Sequence, residues 1–285
     1  MGKNKHKKSD KKRRKLKGGK GRSAAELADR HELYEQSVQC VEAEIDFVDA
    51  TFEAMRGRKA RLLREDFCGT ANTSCEWVRR REDNHAIGVD LDGEVLEWGL
   101  NRHVAALKNG ASQRIELRNE NVLDVHTKPV DAVLAMNFSY WIFKHRKLLR
   151  EYFASVRASL VEDGVFFLDC FGGYEAGRQV KEATEYDDFT YVWEQAAYNA
   201  ATGDYSCHIH FRFPDGSKIK PAFTYHWRLW SLPEIREVLE EAGFSKTTVY
   251  TQGWDDELDE EDGEFNPSED IEPDAGWIVY ITAEP

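Results

Sequence analysis

The sequence predicts an α/β chain built on a parallel sheet with helices on both faces, and three observations carry that prediction. Between residues 60 and 170, short apolar runs alternate with segments of helical periodicity, the order that crossover connections and a parallel sheet require. Two of those runs, Asp131–Met136 and Val165–Cys170, are apolar almost throughout, as strands covered on both faces must be. From 186 to 230 the alternation stops. Three β-rich stretches, separated by turns at Ala201-Thr202-Gly203 and Pro214-Asp215-Gly216, read there as a meander inserted after the fifth strand.

Composition narrows the classes open to the chain. Its 285 residues, 41% hydrophobic, suffice for one large domain or two small ones. No run approaches the roughly 18 apolar residues of a membrane span, and the basic start lacks the apolar segment of a signal peptide, so no membrane partner is expected. The five cysteines (Cys40, Cys68, Cys75, Cys170 and Cys207) are scattered and lack metal-ligand spacing, which points to free thiols, no metal and a cytoplasmic setting. The net charge of −13 conceals a division. Residues 1–22 hold 12 Lys or Arg and one Asp, whereas the remainder holds 27 basic and 51 acidic residues. The tail has too few apolar side chains to offset the entropy of ordering and is expected to be disordered. Its charge suits contact with nucleic acid or a ribosome, or simple solvation, while the acidic body would repel a phosphate backbone at the main site.

The elements follow in order. From Ser23 to about residue 56 the apolar spacing is helical with at least one break, and Ser23 with Glu26 forms a helix-start signature. His31 and Tyr34 lie on these helices, facing either a ligand cleft or the packed interior. Leu62 and Leu63 open the first strand, which ends in Glu65 and Asp66. The small residues Cys68, Gly69, Thr70 and Ala71 then lead into a helix over Asn72–Arg81. Such a turn lets a ligand approach the backbone, with free N–H groups of the first helical turn facing it. The second apolar run, Ala86–Asp92, is closed by Asp90, 25 residues after Glu65. Nucleotide-binding α/β folds keep there the carboxylate that accepts hydrogen bonds from ribose hydroxyls.

Gly93–Leu107 reads as a helix and Arg114–Arg118 as a third strand, running into the polar turn Asn119–Asp124. The fourth strand ends in Asn137-Phe138-Ser139-Tyr140-Trp141, and Lys147–Leu160 is helical before the fifth. In the meander, Cys207, Ile209, Phe211 and Phe213 alternate with His208, His210 and Arg212, giving one covered face and one open face. Ser231, Pro233, Glu234 and Gly243 start and stop another helix. Lys246–Gln252 and Trp277–Thr282 are the last strands. They flank residues 255–274, whose 12 acidic residues read as a mobile, solvated loop.

From about Ala24 onward the sequence resembles class I S-adenosylmethionine-dependent methyltransferases, and Leu63-Arg64-Glu65-Asp66-Phe67-Cys68-Gly69-Thr70-Ala71 resembles a subgroup of small members in bacteria and plants. The resemblance implies a Rossmann-like seven-stranded sheet with a reversed last strand, forming one methyltransferase domain over 23–285. It also implies S-adenosyl-L-methionine as cofactor, a small-molecule methyl acceptor, and a substrate cover at 186–230. Where most of the family has three glycines, this chain has Phe67, Gly69 and Ala71. By the same resemblance, Glu65, Cys68, Gly69, Thr70 and Ala71 would meet the amino-acid end of the cofactor, and Asp90 its ribose. Leu91 and Val122 would sandwich the adenine, and Asn121, Leu123 or Asp124 would meet the adenine edge. Asn137 would border sulfonium and substrate.

No catalytic base is singled out. Asn137, Tyr140, His145 and His226 are the catalytic candidates, with His208 and His210 also available, and Tyr140, Trp141, Tyr225, Trp227 and Trp230 would form an aromatic wall. The alternatives are an RNA or protein methyltransferase tethered by the basic tail, and a non-catalytic cofactor-binding protein. A nicotinamide-dependent dehydrogenase expects a fuller glycine fingerprint and a hydride-transfer pair.

Overall fold

In a computed structural model, which describes residues 21–255 and 260–285, two sheets make up the chain. The basic tail therefore lies outside the described residues, save for Gly21 and Arg22. The large sheet has the order β11-β10-β12-β5-β4-β1-β2-β3. Its parallel centre is β1 (Leu62–Asp66), β2 (His85–Asp90), β3 (Ile115–Asn119), β4 (Val130–Ala135) and the start of β5 (Leu160–Gly172). β12 (Trp277–Glu284) pairs antiparallel with both β5 and β10 (Lys246–Asp255), so the last strand is the reversed one, as expected.

An eighth strand, β11 (Glu260–Pro267), pairs antiparallel with β10 at the edge. This corrects the reading of 255–274 as a loop throughout. A charge run reads as solvated, but charged side chains are also what an edge strand tolerates, and Phe265 anchors it, its ring 4.4 Å from Tyr280 and 5.6 Å from Phe47.

Helices cover both faces. α3 (Val41–Arg56) buries Ile45, Val48 and Phe52 against β1, β4 and β5, and Gly57 ends it at φ 64° with its N–H on the Glu53 carbonyl. The opposite face takes α6 (Arg146–Ser159) and α7 (Leu232–Glu241), the latter begun by the Ser231–Glu234 capping box. α4 (Asn72–Arg80) follows β1, and α5 (Gly93–Gly99) follows β2 and runs on as a wider turn to Val104. α5 packs directly on the turn after β1: a Cβ on Gly99 would stand 2.1 Å from the Thr70 carbonyl oxygen.

The second sheet is the meander β6 (Val180–Glu185), β7 (Thr190–Tyr198), β8 (Asp204–Arg212) and β9 (Lys218–Arg228). It begins before residue 186 because β6 is a polar strand held by backbone pairing to β7, which leaves no apolar alternation to read. Its covered face, with Ile209 and Phe211, receives Leu33, Tyr34 and Val38 of α2 (Arg30–Val38). Ahead of α2 stands the single turn α1 (Ala24–Leu27), begun by Ser23 and Glu26 as the sequence implies. Among the described residues no helix is long and apolar enough to cross a membrane.

Candidate functional site

β1 and β2 are neighbours, with Asp66 beside Val89, so the turns that follow them meet. In the first turn Phe67, Gly69 and Ala71 adopt φ of 58°, 52° and 56°. These are the three positions that the sequence resemblance matches to glycines in most of the family. The chain keeps the left-handed backbone while two of the three carry side chains, at about 1 kcal/mol each. Packing offsets that cost: Phe67 lies 6.0 Å from the Phe143 ring and 5.7 Å from Tyr152, and Ala71 is fully buried with Cys68 and Leu96.

Asp90 ties the two turns together. Its carboxylate accepts the Gly69 N–H at 2.8 Å and the Asp92 N–H at 2.9 Å, and partial burial holds its pKa above the usual carboxylate range. Glu65 is buried and accepts the N–H and hydroxyl of Ser74 at 2.9 and 2.5 Å, which pins β1 to the first turn of α4. Desolvation pushes Glu65 up to about 8. Asp66 is fully enclosed with Arg64 and the Tyr152 hydroxyl.

On the open side of the turns, a Cβ on Gly69 would meet no atom within 4 Å, and Leu91 stands 72% exposed beside Asp90. Val122 is 3% exposed and packs into the core, and in the same turn the Asn121 side chain accepts the Leu123 N–H. Leu123 is half-buried and Asp124 exposed. α2 covers the turn from above: Thr70 donates to Glu35 at 2.6 Å, His103 shares the same oxygen at 2.7 Å, and Trp98 donates to Asp29 at 2.7 Å.

Beyond the ends of β4 and β5 lies a cavity of about 440 Å³, lined on its other sides by the α2–α3 connection and the second sheet. Asn137 alone of the expected cofactor and catalytic residues lines it. Half of its lining residues are aromatic, among them Tyr34, Phe138, Trp141, Tyr191, Trp193, Tyr225, Trp227 and Tyr280. Tyr225 and Trp227 stack at 4.4 Å, and Trp141 meets Trp227 edge-on at 5.9 Å.

Asp169, ending β5's parallel part, accepts the Asn137 and Phe138 N–H groups at 2.7 and 2.9 Å. Those two residues are consecutive left-handed positions, φ 57° and 55°, so the carboxylate sits in a nest of backbone amides. Glu44, from α3, also lines the cavity. Burial pushes both carboxyls up to about 7.

Three catalytic candidates lie elsewhere. Tyr140 is fully buried and donates to the Asp169 backbone carbonyl at 2.6 Å. His145 is exposed at the start of α6, and His226 is exposed on the outer face of β9 beside the Ser206 hydroxyl. His208 and His210 share that outer face, bonded to Thr224 and Glu194. Of the expected wall, Trp141, Tyr225 and Trp227 line the cavity, whereas Trp230 is buried under the Arg228 guanidinium; Tyr34 lines it and His31 packs on Trp98. Sequence reasoning missed Glu44 and Asp169. Both carried a signal: Glu44 falls on the apolar face of its helix, three after Val41 and four before Val48, and Asp169 interrupts an apolar strand as Asp90 does.

No protein-family model matches the sequence, and no curated protein does. Solved structures match across most of the chain. A S-adenosylmethionine-dependent methyltransferase from Clostridium acetobutylicum superposes with a TM-score of 0.64 at 16% identity, over 89% of this chain and 96% of that one. DesVI of Streptomyces venezuelae gives 0.64 at 16% identity, over 90% and 99%. CalS10, an amino pentose methyltransferase from Micromonospora echinaspora solved with S-adenosylmethionine bound, gives 0.62 at 15% identity, over 90% and 96%. The fold is that of the class I methyltransferases, an α/β sheet with the reversed strand in place.

Proposed function

We propose that the chain is a S-adenosylmethionine-dependent methyltransferase acting on a small molecule. The observation that carries this reading is the pairing of an open, left-handed turn at the end of β1 with an aromatic cavity at the ends of β4, its neighbour in the sheet, and β5. The residues present fit the cofactor: open space stands over Gly69, the Asp90 carboxylate lies beside it, and Leu91 offers an uncovered apolar surface. The Cys68–Ala71 backbone and Asp90 would hold it, with Leu91 against the base and Asn121 or Leu123 near its edge. When bound, S-adenosylmethionine supplies a methyl group already activated by its sulfonium.

The chain's own residues then have to orient an acceptor, exclude water and remove a proton where the acceptor carries one. Trp141, Trp193, Tyr225 and Trp227 would exclude water, and α2 and the second sheet would enclose the acceptor. A concave volume of about 440 Å³ lies in the range of sites that take drug-sized molecules, which supports the small-molecule reading. The neighbour CalS10 is described as acting on an amino pentose, which supports it further.

Calorimetry on the full chain tests the assignment. S-adenosylmethionine should bind in the micromolar range and NAD should not. Equal binding of the two would replace methyl transfer by a nicotinamide reading. Deleting residues 1–22 should leave binding and turnover unchanged, whereas their loss would favour a tethered macromolecular substrate.

A further inference from the structure

Resting on the methyltransferase reading, we infer that the acceptor is an amine, bound as its ammonium form by Glu44 inside the aromatic cavity. The charges of the cavity point this way. Glu44, Asp169 and the exposed Glu182 line it, and none of its lining residues is Lys, Arg or His. Among the described residues, therefore, no cation lines the cavity beside these acids.

The two buried acids differ in one respect. Asp169 is occupied by the amides of Asn137 and Phe138. Glu44 is 7% exposed, and its Oε2 has no hydrogen-bond partner. A buried, unpartnered carboxylate oxygen is costly, and a donor from a ligand removes the cost. An ammonium also suits the rest of the wall, because Trp193, Tyr225, Trp227 and Tyr34 line it and aromatic rings attract a cation.

The sulfonium of the cofactor is a cation too. None of Cys68–Ala71, Asp90 or Leu91 lines this cavity, so its acids serve the acceptor's side of Asn137. The chemistry balances as follows. The ammonium gives one proton to the Glu44 carboxylate, and the freed nitrogen lone pair forms the N–C bond to the methyl group. The C–S bond breaks with its electron pair staying on sulfur, and the product leaves as the methylated ammonium. The proton passes from Glu44 to water. A carboxyl held near pH 7 by burial takes up and releases that proton more evenly than an exposed one.

The test is a titration of the full chain, in the presence of S-adenosylhomocysteine, with amines matched to alcohols of the same skeleton. The pairs are tryptamine and tryptophol, cyclohexylmethylamine and cyclohexylmethanol, glucosamine and glucose. At least one amine should bind about tenfold or more tightly than its alcohol, and Glu44→Gln should bring that ratio to about one. Gln keeps the shape and, like the carboxyl that holds its proton below about pH 7, carries no charge, so the variant should melt no lower than the wild type there; Glu44→Asp, which restores an acid at a shorter reach, should recover part of the preference. Equal binding across all pairs, absent binding included, overturns the inference, as does a preference that survives Glu44→Gln. A parallel titration with S-adenosylmethionine separates the two claims. Amine preference without cofactor binding would leave the amine site standing and remove the methyl-transfer reading, and cofactor binding without amine preference does the reverse.

Discussion

The turn after β1 and the cavity beyond β4 and β5 treat their polar groups in opposite ways. At the turn each acid, and Thr70 with them, has an internal partner: Glu65 on Ser74, Asp66 on Arg64 and Tyr152, Asp90 on two backbone amides, Thr70 on Glu35. In the cavity two carboxyls stand among aromatic rings with no Lys, Arg or His in the lining, and Glu44 Oε2, the Trp141 indole N–H and the Tyr205 hydroxyl are left without hydrogen-bond partners. The difference teaches where each kind of recognition resides. The turn offers shape and backbone amides that are set before a ligand arrives, whereas the cavity holds an electrostatic demand that only a ligand meets.

The largest expected effect concerns that demand. Glu44 and Asp169 keep their protons up to about pH 7 in the folded chain, against ordinary values of 4.5 and 3.8. The folded state therefore binds more protons than the unfolded state between those limits. Their stabilising contribution is full at the acid end and is lost as pH rises through 7, on the order of 3 kcal/mol per group. Glu65, held up to about 8, acts in the same direction. Thermal unfolding should show a melting temperature that falls from pH 5.5 to pH 8, and Glu44→Gln should flatten that slope. A melting temperature that rises over this window would mean that the cavity acids are not protonated in the folded chain.

Next in size is Asp90→Ala. It removes the acceptor of the Gly69 and Asp92 amides together with the carboxylate assigned to the ribose. S-adenosylmethionine affinity should fall about a hundredfold, some 2.7 kcal/mol, while amine binding changes little. A variant that binds the cofactor as well as wild type would move the site away from β2. The converse is Trp193→Leu, on the half-buried wall from β7. Loss of a cation–π partner, about 1 kcal/mol, should weaken the best amine roughly fivefold and leave S-adenosylmethionine unaffected, as read by the same calorimetry. Matched losses of both ligands in either variant would dissolve the contrast between the two regions.

The two regions were also unequally legible in the sequence. The turn is local: Glu65, the run Cys68–Ala71 and Asp90 fall within 26 residues, and strand ends, turn chemistry and spacing all act over that distance. The large sheet was readable for the same reason, since each strand carries its own apolar run. The cavity is assembled from Tyr34, Glu44, Asn137, Asp169, Trp193 and Trp227, which are spread over nearly 200 residues and meet only through sheet pairing and the packing of α2 and α3 on the sheets. Its aromatic residues were visible singly, but which side they face depends on the meander's register, and His226 and Trp227 fall on opposite faces by a single position. β11 escaped because backbone pairing leaves no trace in side-chain pattern when the side chains are acids.

The smallest effect tests how far the turn's shape is independent of its side chains. Ala71 sits at φ 56°, where glycine would avoid a strain of about 1 kcal/mol, so Ala71→Gly relieves that amount. The same change removes a fully buried methyl from contact with Cys68 and Leu96, at a cost of about 0.8 kcal/mol, and loosens the unfolded chain by a further few tenths. The contributions nearly cancel, and denaturant unfolding should find the variant within about 0.5 kcal/mol of wild type, with S-adenosylmethionine affinity unchanged. A loss above about 2 kcal/mol would mean that the methyl group, rather than the strand ends and Asp90, holds the turn in its left-handed form. A marked gain would instead put the strain above the usual cost of a non-glycine residue there, and the packing with Leu96 would then be the weaker of the two.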